Sequence, residues 1–270
     1  MYPKSFNKKI QLEALNFLIS YLDKHQIEYF VIAGTLLGAV RHKGFIPWDD
    51  DIDIGLKREE YEKFIELFSK EFNSDSKKLY FLQNWHTEKE FAMPFTKLRV
   101  NQTIYKEFVT KDINFHHGIY IDIFPFDDVK PTMMKRIIQD KFSDIIHKII
   151  LIKSNYKIIS PKIHHPLKLI LKFLPRKLLI VMFENFTTSI NSRSEFMVCT
   201  GGSYGFYKEI VNKDWFKEFE FFEFDYLTVK GPKNFDSYLK NLYGDYMKKP
   251  SIENRTSRHR IVEFSINSNK

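Results

Sequence analysis

The chain has 270 residues, 43% hydrophobic and 16% aromatic. That suffices for one large domain, or for a catalytic core with a smaller helical part, and excludes a disordered or fibrous class. Its single cysteine, Cys199, excludes an internal disulfide and a Cys-rich zinc site, and the net charge of +8 is local: residues 130–177 hold twelve Lys/Arg against two acids (+10), leaving −2 for the rest.

In chain order, apolar residues three and four apart from Phe6 to Leu22 predict an amphipathic helix. A strand at Tyr29–Ile32 follows, then a glycine turn at Gly34-Thr35 and a helix over Leu36–Arg41. Gly44-Phe45-Ile46-Pro47 reads as a loop. Asp-Ile-Asp-Ile at 51–54 alternates with period two, which puts Asp51 and Asp53 on one strand face and Ile52 and Ile54 in the core. Asp50 then points away, and Asp49 shares the Asp51 face at the loop end. A helix is predicted over Arg58–Phe72, and strands over Leu79–Gln83, Phe95–Val100, Thr103–Phe108 and Ile119–Phe124. From Pro131 to about Asn191 the pattern is helical, broken at Ser160-Pro161. The last third is mixed, with a strand at Tyr226–Lys230 and a helix at Phe235–Tyr243 that ends on Gly244. The class is α+β on a mixed sheet.

Hard divalent cations such as Mg²⁺ prefer carboxylate oxygens and bridge substrate phosphates. Asp51 and Asp53 supply two carboxylates, and Asp122, between Ile121 and Ile123, a third. An Asp within an apolar strand needs a partner charge or a metal. The blander alternative is a solvated acidic turn, with Asp122 paired to an arginine such as Arg99. A glycine turn opening a helix, as at Gly34-Thr35, lets backbone N–H groups approach phosphate oxygens. Lys97 and Arg99 alternate on their strand, so both can face diphosphate oxygens; otherwise they are a solvent-facing edge. Arg41 and His42 precede the acids, placed to contact a nucleotide or orient a carboxylate. Asp245, after Gly244, reads as structural.

Glycine turn, strand-borne Asp-x-Asp and a distant apolar-Asp-apolar together resemble the nucleotidyltransferase fold of polymerase β-like enzymes. The fifteen residues between Thr35 and Asp51 exceed the compact versions. The whole run Gly34–Ile54, with Trp48-Asp49-Asp50-Asp51-Ile52-Asp53 at its end, is similar to the defining block of the LicD family, relatives of which are fukutin and fukutin-related protein. Lys97-Leu98-Arg99, Gly118–Pro125 and Leu242-Tyr243-Gly244-Asp245-Tyr246-Met247 are further resemblances, so the matches span roughly residues 28–250.

The pattern of elements divides the chain into a catalytic core at 1–128, for which the resemblance implies a nucleotidyltransferase-like fold, a basic helical subdomain at 129–195 and a C-terminal mixed segment at 196–270 expected to pack on the core. The resemblance implies phosphoryl transfer from CDP-choline or another CDP-alcohol to a hydroxyl of a lipid-linked glycan precursor, of teichoic acid or lipopolysaccharide type, with release of CMP. Asp51 and Asp53 would hold Mg²⁺ (or Mn²⁺) across the diphosphate, and Asp122 would bind metal or accept the acceptor's proton. Gly34, Thr35, Arg41, His42, Asp49, Lys97 and Arg99 would contact substrate, and Trp48 and Tyr120 are candidates to cage a quaternary ammonium.

Residues 131–177 interleave Lys/Arg with Ile, Leu and Phe, a pattern suited to an anionic membrane surface or to a solvated lysine face. No run of about 18 apolar residues or signal-peptide core is present. The expected location is therefore cytoplasmic, free or peripheral at the inner face of the membrane. Two rival readings are a nucleotidyltransferase that uses an NTP and releases pyrophosphate, and a basic nucleic-acid or membrane-binding module without catalysis. No nucleic-acid motif supports the latter, and no nucleic-acid partner is expected.

Overall fold

The computed structural model describes residues 4–73, 78–157, 173–188, 194–257 and 259–266. Helix α1 (Lys4–Lys24) buries Leu15, Leu18 and Leu22 completely, as its three-and-four spacing requires. Strand β1 (Phe30–Val31) leads into α2 (Ala33–His42), so Gly34 and Thr35 lie in the first helical turn rather than in a separate glycine turn. The reversal falls on Ala33, at φ 44°, one residue earlier than the glycine suggested. Lys43, at φ 60°, closes α2 by donating its N–H to Gly38 O.

Strand β2 (Asp53–Lys57) starts two residues later than the Asp-Ile-Asp-Ile alternation predicts, leaving Asp51 just before it. The alternation still holds, because Ile52 and Ile54 are fully buried and Asp122 N–H donates to Ile52 O at 2.9 Å. Helix α3 (Arg58–Phe68), with Glu59 and Glu60 favourably placed in its first turn, continues as one wider turn over Ser69–Asn73. Tyr21, Phe64, Phe68 and Phe72 pack edge-on or stacked between α1 and α3.

Strands β3 (Tyr80–Gln83), β4 (Thr96–Val100) and β6 (Tyr120–Asp128) complete a sheet of order β1-β2-β6-β4-β3; β5 (Thr103–Glu107) stands outside it. Among the described residues only β2 and β6 run parallel; the other pairs are antiparallel. Central β6 carries β2 on one edge and, on the other, β4 and then β7 (Phe196–Cys199), which pairs in turn with β8 (Ile210–Asn212). The mixed α+β sheet expected from the sequence is present.

Helix α4 (Met133–Lys153) packs on α5 (Arg176–Thr188) over a second core of Ile146, Ile149, Ile150, Leu179, Ile180 and Phe183, joined by Ala92 and Ile113. The predicted break at Ser160-Pro161 lies outside the described residues. A single helical turn, α6 (Phe206–Glu209), precedes β8. Strands β9 (Phe219–Phe224) and β10 (Leu227–Pro232) form a hairpin, followed by α7 (Phe235–Tyr243), whose C-terminal Gly244 has φ 68°. Strand β11 (Ile261–Ile266) returns to pair antiparallel with β5.

Candidate active site

The sheet register brings the carboxylates together. Asp53, first residue of β2, lies opposite Asp122 on the parallel neighbour β6, and Asp122 lies opposite Lys97 on the far edge, in β4. A row Asp53, Asp122, Lys97 therefore crosses three strands. Thr35, in the first turn of α2, accepts the Asp53 N–H on its Oγ1 at 2.8 Å and so fixes the start of β2. Gly34 is pressed against Asp49, whose Oδ2 a Cβ at Gly34 would meet at 2.5 Å. Asp50 faces the opposite way, as alternation requires: its carboxylate accepts from Tyr105 and Ser257 hydroxyls at 2.8 Å, and its carbonyl from Asn7 and Gln11.

A cavity of about 670 Å³ opens on this row. Of the residues expected at the site, Gly34, Arg41, Trp48, Asp49, Asp51, Asp53 and Asp122 line it, as does Asp245, which was read as structural. Thr35, His42, Lys97, Arg99 and Tyr120 do not line it. Lys97 spans both Asp122 oxygens at 2.6 and 2.9 Å, replacing the Asp122–Arg99 pair suggested as the bland alternative. Arg99 donates instead to Gln83 and to the Gly118 carbonyl, both at 2.7 Å. Both cations are buried rather than at a solvent-facing edge, and both lie over the ring of Tyr120, at 3.4 and 4.7 Å. The ring of Tyr120 thus already holds the protein's own cations, and the aromatic residues on the cavity wall are Trp48, Phe95, Phe124, Tyr204, Tyr238, Tyr243 and Tyr246. His42 stands behind Trp48, edge to face at 6.1 Å.

The electrostatics are those of too many acids for the cations at hand. Burial, then Asp51, Asp122 and Asp49, push the Asp53 carboxyl well above the usual range. Burial and Asp51 push Asp49 up to about 8, and burial outweighs Lys97 in raising Asp122. Asp51 goes the other way. Burial would raise it, but His259 Nε2 at 3.1 Å of its Oδ2 holds it below the ordinary value. His259 is itself clamped, its Nδ1 3.4 Å from Glu107, and against the effect of burial the two carboxylates push the imidazole up to about 11. Burial would raise Glu107, but His259 and Lys97, with Tyr120 OH donating at 2.7 Å, hold it well below its usual range.

A set of carboxylates that cannot all ionise at neutral pH without a further cation fits a hard divalent metal. Asp51, Asp53 and Asp122 are the cavity-lining donors for it. Ligand atoms of Asp50, Asp51 and His259 also lie within 4.8 Å of one another and could hold an ion. An imidazolium between two carboxylates has no lone pair for a metal, however, so His259 as it stands is a counter-charge to Asp51.

His259 and Glu107 were not foreseen, nor were Glu209 and the Gly201-Gly202-Ser203-Tyr204 wall. No local pattern marks them: His259 reaches the site only because β11 pairs with β5. Glu107, the last residue of β5, carries no signal of its own without that pairing.

A nucleotidyltransferase-like sheet that turns strand-borne carboxylates into a deep cavity is the frame of a group-transferring enzyme. Residues 26–153 match the family model described as LicD/FKTN/FKRP, nucleotidyltransferase domain, and the chain carries a domain of this LicD family. It is 27% identical over 259 residues, 92% of each chain, to lipopolysaccharide cholinephosphotransferase LicD of Haemophilus influenzae. Shorter similarities are 38% over 48 residues, 18% of this chain and 10% of the relative, to ribitol 5-phosphate transferase FKRP of Homo sapiens, and 59% over 39 residues, 14% and 15%, to an uncharacterized protein of Rickettsia prowazekii.

Proposed function

We propose that the chain transfers phosphocholine, or a related phospho-alcohol, from a CDP-alcohol to a hydroxyl of a cell-surface glycan precursor and releases CMP. The observation that carries this reading is the register of Asp53 against Asp122, which puts two acids of different strands, with Asp51 beside them, on one wall of the cavity. Likeness over nearly the full length to a cholinephosphotransferase supports phosphocholine as the transferred group.

Asp51, Asp53 and Asp122 would hold Mg²⁺, which would supply neutralisation of the diphosphate charge. The protein's own residues do the rest. Thr35 holds the Asp53 backbone, Lys97 balances Asp122, and His259 orients Asp51. Arg41 and Lys248 line the cavity as cations for phosphate oxygens, and Trp48 with Tyr238 and Tyr243 offers aromatic faces to a quaternary ammonium.

The test is CMP release from a panel of CDP-alcohols with membrane extract as acceptor. Asp51→Asn and Asp53→Asn are each expected to lower release by on the order of 100-fold or more. Near-normal turnover of either variant would refute the metal assignment. Pyrophosphate release from an NTP, in place of CMP release, would move the chain to nucleotidyl transfer.

A further inference from the structure

Attack by an acceptor hydroxyl needs a group to take its proton, and Asp122, with both oxygens on Lys97, is poorly placed to do so. A second carboxyl group faces the same cavity. Glu209 ends α6 with only 5% of its surface exposed, and among the described residues the hydrogen-bond partner of its carboxylate is Tyr204 N–H, at 3.0 Å from Oε1. The chain is shaped around it: a Cβ at Gly202 would lie 2.3 Å from the Glu209 carboxyl carbon.

Glu209 also lines a second cavity, of about 190 Å³, between α4, α5 and the loop after β7. The two cavities share Cys199, Gly201, Gly202 and Glu209. Gln139, Ser143, Asp144, His147 and Thr187 offer hydrogen-bond donors and acceptors on its walls, Phe183 and Phe206 offer ring faces, and no Lys or Arg is among the described lining residues. Such a lining suits a neutral polyhydroxyl compound and repels a phosphate.

We propose that the second cavity receives the sugar of the acceptor and that Glu209, at the junction, is the catalytic base for its attacking hydroxyl. The proton of the acceptor O–H passes to the Glu209 carboxylate. The freed oxygen lone pair forms the bond to the phosphorus that carries the alcohol, the bond from that phosphorus to the oxygen bridging to CMP breaks, and CMP leaves with that electron pair; the proton then passes to water. Burial pushes the Glu209 carboxyl up to about 7, which suits a base working near neutral pH. Glu209 lines the same cavity as Asp51, Asp53 and Asp122, so the base and the metal-binding acids face one space.

This inference rests on the phospho-alcohol transfer proposed above, and its test separates the two. The full chain is assayed with CDP-choline and Mg²⁺, with and without membrane extract, and CDP-choline binding is measured directly. Glu209→Gln is expected to lose on the order of 100-fold of extract-dependent CMP release while binding CDP-choline as tightly as the parent. Glu209→Ala is expected to regain about tenfold when formate is added as a replacement base. Variants within about threefold of the parent overturn the role of Glu209 alone. So does a loss accompanied by weakened CDP-choline binding or without formate rescue, since it marks a structural role. A parent protein that releases no CMP from any CDP-alcohol overturns the transfer reaction, and this inference with it.

Discussion

Lys97 illustrates how a buried charge is judged by what its removal leaves behind. It is only 7% exposed, and Asp122 beneath it 5%. Taking two such charges out of water offsets much of their attraction, so the pair adds little net stability. Breaking it is another matter, because Asp122 would remain charged and buried beside Asp51 and Glu107. Lys97→Met is therefore expected to lose about 3 kcal/mol in urea unfolding. The sign with pH follows from Asp122, whose carboxyl is raised in the fold and rises further without Lys97. Stability is kept where Asp122 is protonated and lost as pH rises through its folded value, so the deficit is expected to be larger at pH 8 than at pH 5. An equal deficit at both would show that Lys97 acts through packing. The sequence pointed to Asp122 because apolar neighbours on both sides of an acid demand a partner. It suggested Arg99 and missed Lys97, because the two alternate on one strand and differ only in which strand neighbours their side chains meet.

Among the elements, α2 shows most directly how local geometry sets the site. It supplies Gly34 against Asp49 and Thr35 against Asp53, and it is held in place by Gly38, where a Cβ would meet the Gly44 carbonyl oxygen at 2.4 Å. An alanine in a helix interior gains about 1 kcal/mol over glycine. Overpacking against backbone costs about 1–3 kcal/mol, and a carbonyl cannot swing aside as a side chain can. Gly38→Ala is expected to be destabilising by about 1 kcal/mol net, read as a lowered unfolding midpoint, with CMP release reduced as the loop to Asp49 shifts; an unchanged midpoint would refute the tight contact. Most elements up to β6 were legible because each is bounded by glycine, proline or a change of period. Strand β11 was not: Ile261–Ile266 is half exposed and its pairing partner lies more than 150 residues earlier, so neither burial nor a nearby turn announces it. With β11 unseen, His259 was unseen too.

At the scale of the molecule, part of the basic charge of 131–177 lies on α4, while 158–172 lie outside the described residues. Helix α4 exposes Met133, Met134, Ile137, Ile138 and Ile152, and its outer surface also bears Lys141 and Lys148. No helix among the described residues is long and apolar enough to cross a membrane. Apolar side chains between lysines suit contact with an anionic lipid surface, which would bring a lipid-linked acceptor to the enzyme. We propose that contact, and co-sedimentation with phosphatidylglycerol vesicles tests it. Met134→Ser with Ile138→Ser is expected to weaken binding, and replacing Lys135, Lys141 and Lys148 by Glu to weaken it by about 1 kcal/mol per charge at low salt. Failure of the parent protein to sediment with such vesicles would leave α4 as an ordinary solvated face.

The closing of the cavity by the segment before β11 bears on how the protein is made. Its acids come from positions 49–53 and 122, its far wall from 199–209, and the histidine that balances Asp51 from position 259. On the ribosome, synthesis runs from the N-terminus and folding follows as segments emerge. The main sheet can form early, yet Asp51 stays without its imidazolium until the segment that carries His259 has emerged. A growing chain thus holds an acid-rich, incompletely neutralised sheet until the segment before β11 joins it and finishes the site.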